Sequence, residues 1–208
     1  MIGGARTAIA FALLGMAVMP AAADISCDFE SGLGHNAQPV GTTMAGLALS
    51  TTTGGDVLYA DINSGWYSVT SDNGKVFGDG EYFVSGDVSA YVPNLLDRAK
   101  VSFPYGQASY FTVGYSSQFP FILEGYDNAG DLLASTTGGA NTKSQGGTGL
   151  VYLTVSHPGM SYVVLHDQGG YWLMDNISTD APVPEPGSML VLAIGLGGLV
   201  ARRRFRLH

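Results

Sequence analysis

The sequence predicts an all-β fold, an antiparallel β-sandwich or jelly roll, carried between an N-terminal signal peptide and a short C-terminal transmembrane helix. Between Asp24 and Asp180 short runs with period-two alternation recur, and no stretch sustains a 3.6-residue apolar period beyond a helical turn at Pro93 to Arg98. Clusters of Asn, Asp, Gly and Pro separate the runs, as reversing strands require. Composition agrees: hydrophobic residues at 46% and aromatics at 11% can build a core, while charged residues at 12% are far below the usual share of about 25%. Ser, Thr, Asn, Gln and 30 glycines must therefore carry the surface.

Residues 1–23 contain a cationic start at Arg6, an apolar run from Ala8 to Val18, the helix breaker Pro20, and then Ala21-Ala22-Ala23. This is the pattern of a secretory signal, with small residues at Ala21 and Ala23 suited to signal peptidase and cleavage after Ala23. The apolar run is too short to span a bilayer comfortably.

The domain assigned to residues 24–180 follows. Its expected strands are residues 25–30, 57–62, 66–70, 81–92, 99–103, 109–115, 119–127, 132–136, 150–156, 162–166 and 171–177. Phe111, Val113 and Tyr115 share one face of their strand, as do Val151, Leu153 and Val155 of theirs. Asp127-Asn128-Ala129-Gly130-Asp131 supplies a hairpin turn, and Asp72-Asn73-Gly74 and His157-Pro158-Gly159 supply similar punctuation. The Gly- and Thr-rich stretch 136–149 reads as a long mobile loop on the rim.

Residues 181–208 form the last unit: a proline-rich entry, an apolar segment from Met189 to Val200, and the run Arg202-Arg203-Arg204-Phe205-Arg206. Prolines block helix entry, so helix begins only after Pro186. From there to Ala201 a helix would be about 24 Å long, short of the ~30 Å hydrocarbon core, so flanking residues must help it span. The arginines then stay cytoplasmic and the domain stays outside.

Charge excludes one class of partner. Five of the nine Lys and Arg residues lie in the terminal segments, leaving Lys75, Arg98, Lys100 and Lys143 against all seventeen carboxylates, a net of −13 over residues 24–185. Such a field repels nucleic acid and anionic lipid. Cys27 is the single cysteine, so no internal disulfide staples the fold.

The tail resembles the PEP-CTERM sorting signal on the strength of Val183-Pro184-Glu185-Pro186, the short apolar helix, and Arg202, Arg203 and Arg204 in that order. The resemblance implies recognition by exosortase in a Gram-negative bacterium that makes exopolysaccharide, cleavage near the Pro-Glu-Pro element, and only transient residence in the inner membrane. The domain is similar to galactose-binding-like jelly-roll modules in Cys27-Asp28-Phe29-Glu30, in Leu123-Glu124-Gly125-Tyr126-Asp127-Asn128-Ala129-Gly130 and in Trp172-Leu173-Met174-Asp175-Asn176-Ile177. That likeness implies paired first and last strands and a structural calcium at Asp28, Glu30 and Asp175, residues that could equally decorate strand ends.

The usual hydrolase, zinc and nucleotide motifs are absent from the sequence. His35, His157 and His166 with Asp167 are the residues from which an acid–base set could be assembled. Trp66 and Trp172, beside Tyr67 and Tyr171, are either core residues or flat faces for sugar rings. The expectation is a non-catalytic cell-surface or biofilm-matrix protein with exopolysaccharide as candidate ligand. A secreted carbohydrate-active enzyme with a nonstandard site and a purely structural matrix component are the alternatives.

Overall fold

The computed structural model describes residues 24–32, 34–41, 44–64, 69–71, 81–94 and 96–182. The signal segment, including Ala21 and Ala23, the apolar tail with its arginines, and Trp66 lie outside the described residues.

The described chain is an antiparallel β-sandwich. Its strands are β1 (Ile25–Cys27), β2 (Ala48–Thr51), β3 (Leu58–Asp61), β4 (Val69–Ser71), β5 (Tyr82–Val84), β6 (Val88–Tyr91), β7 (Ala99–Ser102), β8 (Ala108–Ser117), β9 (Phe121–Tyr126), β10 (Leu132–Gly138), β11 (Val151–Met160), β12 (Tyr162–His166) and β13 (Trp172–Thr179). One sheet runs β11-β8-β13-β6-β3 with β1 paired to β13, and the other runs β10-β9-β12-β7-β2. A small parallel pair joins β4 to β5. From β6 onward the chain alternates between the two large sheets, interrupted only by the β9–β10 hairpin. The first and last strands pair as expected, Ile25 opposite Thr179 and Cys27 opposite Ile177.

Alternation explains the core. Phe111, Val113 and Tyr115 of β8 meet Phe121 and Leu123 of β9, Val163 and Leu165 of β12, and Met174 and Ile177 of β13, all fully buried. Tyr115 stacks on Phe121 at 4.5 Å, and Trp172 meets Phe121 edge-on at 5.2 Å. Cys27 is buried at the β1–β13 pairing, and burial pushes its thiol up to about 11, so it is an inert apolar residue.

Several expectations are corrected. The run 81–92 is two strands, broken at Gly86 (φ +69), where an added Cβ would lie 2.4 Å from Glu30 Oε1. Residues 25–30 form a strand only to Cys27, and Glu30–Gly32 is a 3₁₀ turn. Strand β2 lies outside the expected strands, because its segment is rich in hydroxyl residues and Leu49 is the single large apolar residue within the strand. His157-Pro158-Gly159 is a bulge inside β11, tolerated because β11 is an edge strand and Pro158 costs no ladder bond there. The turn expected at 93–98 does form, Asp97 N–H closing it on Asn94 O.

The stretch 136–149 is anchored. Strand β10 extends to Gly138, Lys143–Gln145 forms a 3₁₀ turn, and Asn141 and Thr142 are buried. Asn141 Oδ1 accepts from Ser117 N–H (2.7 Å) and its Nδ2 donates to Tyr115 O (2.8 Å), so this side chain imitates a neighbouring strand. The hairpin at Asp127–Asp131 forms as expected, with Asp127 Oδ1 accepting from the amides of Ala129 and Asp131.

Candidate functional site

Pairing of three strands builds one surface. Tyr126 of β9 lies opposite Tyr162 of β12, Glu124 opposite Val164, and Ile122 opposite His166, while Lys100 of β7 lies opposite Val164 on its other side. Neighbours in between, Leu123, Val163, Leu165, Ala99 and Val101, fill the core. Period-two geometry therefore sends Lys100, Glu124, Tyr126, Tyr162 and His166 to the outer face of the five-stranded sheet, and Arg98 extends the β7 row.

On that face Tyr126 and Tyr162 stack at 5.1 Å with planes 6° apart. The Lys100 ammonium sits 4.1 Å from the centre of the Tyr162 ring, a cation–π contact. Thr52, Arg98, Lys100, Tyr126, Tyr162 and Val164 line a groove of about 390 Å³. A second depression of about 410 Å³ lies across Arg98 and reaches Ile122 and His166.

Glu124 Oε2 is the polar hub between them. It accepts from Tyr126 Oη–H at 2.9 Å, lies 3.8 Å from Arg98 Nη1, and lies 3.5 Å from His166 Nε2. The contact with His166 lacks hydrogen-bond geometry, which leaves that buried nitrogen without a hydrogen-bond partner. Burial, followed by the bond to Glu124, pushes the Tyr126 phenol up to about 12, so it remains a proton donor at neutral pH. The half-exposed Arg98 adds little stability through a 3.8 Å contact and is available to a ligand.

Two further carboxylates near this surface are occupied structurally. Asp167 Oδ1 accepts from the amides of Gly169 and Gly170, and its Oδ2 accepts from Ser117 Oγ at 2.9 Å. Asp97 accepts from the hydroxyls of Thr52 and Thr53 and from Arg98 N–H. Burial raises the Asp97 carboxyl, but these donors together outweigh it and hold the group well below the usual carboxylate range. A depressed folded-state pKa gives stability that is complete above the unfolded value of about 3.9 and is lost as pH falls through the folded one. The urea midpoint should therefore stay flat above roughly pH 5 and fall below about pH 4, and Asp97→Asn should reduce that fall.

The residues expected from sequence as metal ligands each accept from backbone amides. Glu30 Oε1 accepts from the amides of Asp87 and Val88, Asp28 Oδ1 accepts from Glu30 N–H, and Asp175 is fully buried with its two oxygens on the amides of Ser85 and Asn176. Among the described residues no group of three His, Cys, Asp or Glu is placed to hold a metal ion. These carboxylates fasten strand ends and a bulge of β13.

Trp172 is likewise corrected. It is 4% exposed and packs on Phe121, because alternation along β13 turns it inward. Its neighbour Tyr171 is 45% exposed beside Phe119. The three histidines make separate contacts: His35 with Gln38, His157 with the Pro158 carbonyl, and His166 with Glu124. Sequence reasoning missed Arg98, Lys100, Glu124, Tyr126 and Tyr162 as one site. The signal was the matching parity of residues 98–102, 122–126 and 162–166, which has meaning only once the strands are paired in register.

Comparison with known proteins adds the destination of the chain. Residues 182–204 match the PEP-CTERM protein-sorting motif. No curated protein matches the chain. Among solved structures, the enzymatically active domain of tailspike protein 4 from Bacteriophage CBA120 is similar at 15% identity and a TM-score of 0.31, over 69% of this chain and 21% of that one. The N-terminal endo-1,4-beta-D-xylanase 10B of Clostridium thermocellum, in its CBM22-1-GH10 modules complexed with xylohexaose, is similar at 10% identity and a TM-score of 0.36, over 71% of this chain and 28% of that one. Neither likeness assigns a substrate or a reaction here. The sorting motif marks an exported protein that passes an exosortase step at the inner membrane on its way to the cell surface or matrix.

Proposed function

We propose that this exported, PEP-CTERM-bearing protein is a non-catalytic component of the cell surface or extracellular matrix that holds exopolysaccharide against the outer face of its five-stranded sheet. The observation that carries the reading is the groove in which the stacked Tyr126–Tyr162 pair lies beside Lys100 and Arg98. Aromatic edges and faces give apolar contact to sugar rings, and the flanking cations and Thr52 hydroxyl give directional bonds. Two of the four cations between residues 24 and 185 converge there, in a chain otherwise dominated by carboxylates.

A second reading, a carbohydrate-active enzyme, is favoured by one feature of the same surface: Glu124 Oε2 is shared by a phenol, an imidazole nitrogen and a guanidinium, groups from which acid–base chemistry is assembled. The reading as a binding surface is preferred because Asp97 and Asp167 are already committed, leaving Glu124 without a second free carboxylate at this face among the described residues.

One experiment separates them. Exopolysaccharide isolated from an exopolysaccharide-producing Gram-negative bacterium is offered to the secreted protein, and both retention and chain shortening are followed. Tyr162→Ala is expected to weaken retention by at least about ten-fold, with no shortening by the parent protein. Equal retention by parent and variant would remove the groove from the function. Shortening that disappears in Glu124→Gln would make the protein an enzyme.

A further inference from the structure

From residue 132 to residue 166 the chain contains no Asp or Glu, although seventeen carboxylates are spread over 24–185 and Asp131 and Asp167 flank the gap. The fold collects much of this stretch on one side. Strand β10 is the edge of one sheet, β11 is the edge of the other, and the two lie next to each other. Along an edge strand every second residue directs its N–H and C=O away from the sheet, and among the described residues nothing pairs with the outer edge of β11.

Proteins ordinarily guard such edges with lysines, prolines or bulges. Here β11 carries no Lys, Arg, Asp or Glu, and its Pro158 and bulge guard only the far end. Residues 151–156 remain in unbroken register with β8, from Val151 opposite Tyr115 to Ser156 opposite Tyr110. This straight segment carries two exposed apolar side chains, Val151 at 41% and Tyr152 at 55%.

We propose that β11 pairs antiparallel with β11 of a second copy across a two-fold axis, joining the two six-stranded sheets edge to edge. Charge selects the occupant. Two chains of net −13 repel each other wherever carboxylates meet, and the β10–β11 side is where each presents none of its own from a 35-residue stretch. Pairing about Leu153 places Val151 opposite Val155 of the other copy on the inner face and Tyr152 opposite Thr154 on the outer face. The association is therefore driven by backbone bonds and apolar contact, with no ion pair at the seam.

Sedimentation of the secreted protein from micromolar to millimolar concentration tests this. A monomer–dimer equilibrium is expected, and added salt should strengthen it by screening the self-repulsion, opposite to an interface built on ion pairs. Tyr152→Glu and Val151→Glu each set like charges near the axis and should weaken dimerisation by at least about ten-fold. Both side chains are exposed, so thermal melts should show the fold retained. Leu96→Glu, at a 93%-exposed position elsewhere, adds the same charge and should change little. A protein that stays monomeric at high salt, dimers that survive both β11 variants, or an equal loss with Leu96→Glu would each overturn the proposal.

Discussion

Phe121→Ala is expected to cost about 3–5 kcal/mol, the range for emptying a large aromatic site in a packed core. Phe121 has no exposed surface, stacks on Tyr115 and receives the edge of Trp172, so truncation removes the contact that joins β8 to β9 and β13. The site cannot easily collapse. The Tyr115 phenol is tied to Gly139 O at 2.8 Å, and Gly138, which pairs with Phe121, has space only for hydrogen, since an added Cβ would lie 2.0 Å from the Tyr115 hydroxyl oxygen. With total stability on the order of 5–15 kcal/mol and no disulfide, this single loss is a large share. Urea denaturation followed by near-ultraviolet circular dichroism measures it, and a loss below about 1 kcal/mol would mean that the aromatic stack is not the centre of the core.

The second large effect is expected at Asn141. Replacement by Leu keeps the volume but leaves the Ser117 amide and the Tyr115 carbonyl without the bonds they now make to its side chain. Each abandoned buried group costs about 1–3 kcal/mol, so the variant should lose roughly 2–6 kcal/mol in urea. The damage should also be local. Asn141 N–H and Thr142 N–H both donate to Ser117 O, and Lys143 N–H donates to Glu81 O, so the same residues hold the 3₁₀ turn to the sandwich. Trypsin should therefore cut after Lys143 in Asn141→Leu well before it cuts the parent protein. Equal cleavage would show that the segment is held by something other than Asn141.

These two residues mark different limits of sequence reading. Phe121 belongs to an alternating strand, and its place in the core follows from period two and apolarity. Asn141 sits in a run of Gly, Thr and Asn whose composition indicates mobility, yet its amide has a donor and an acceptor spaced to replace a backbone partner. Composition cannot register that, because the replaced partner is twenty-four residues away in sequence. Asp175 is hidden in the same way: one of the amides it accepts from, that of Ser85, is ninety residues away in sequence.

The residues in order along the chain determined the export tail and the all-β class, because a sorting signal is read as linear text and strand alternation is a local property of the backbone. They also determined most strand positions and the Asp127–Asp131 hairpin. The tertiary structure decided which aromatics face outward, that Trp172 is core while Tyr126 and Tyr162 form a groove with Lys100, and that β11 is the edge strand of its sheet. Those outcomes depend on register between strands far apart in sequence, and a shift of one residue would exchange every inward side chain for its outward neighbour.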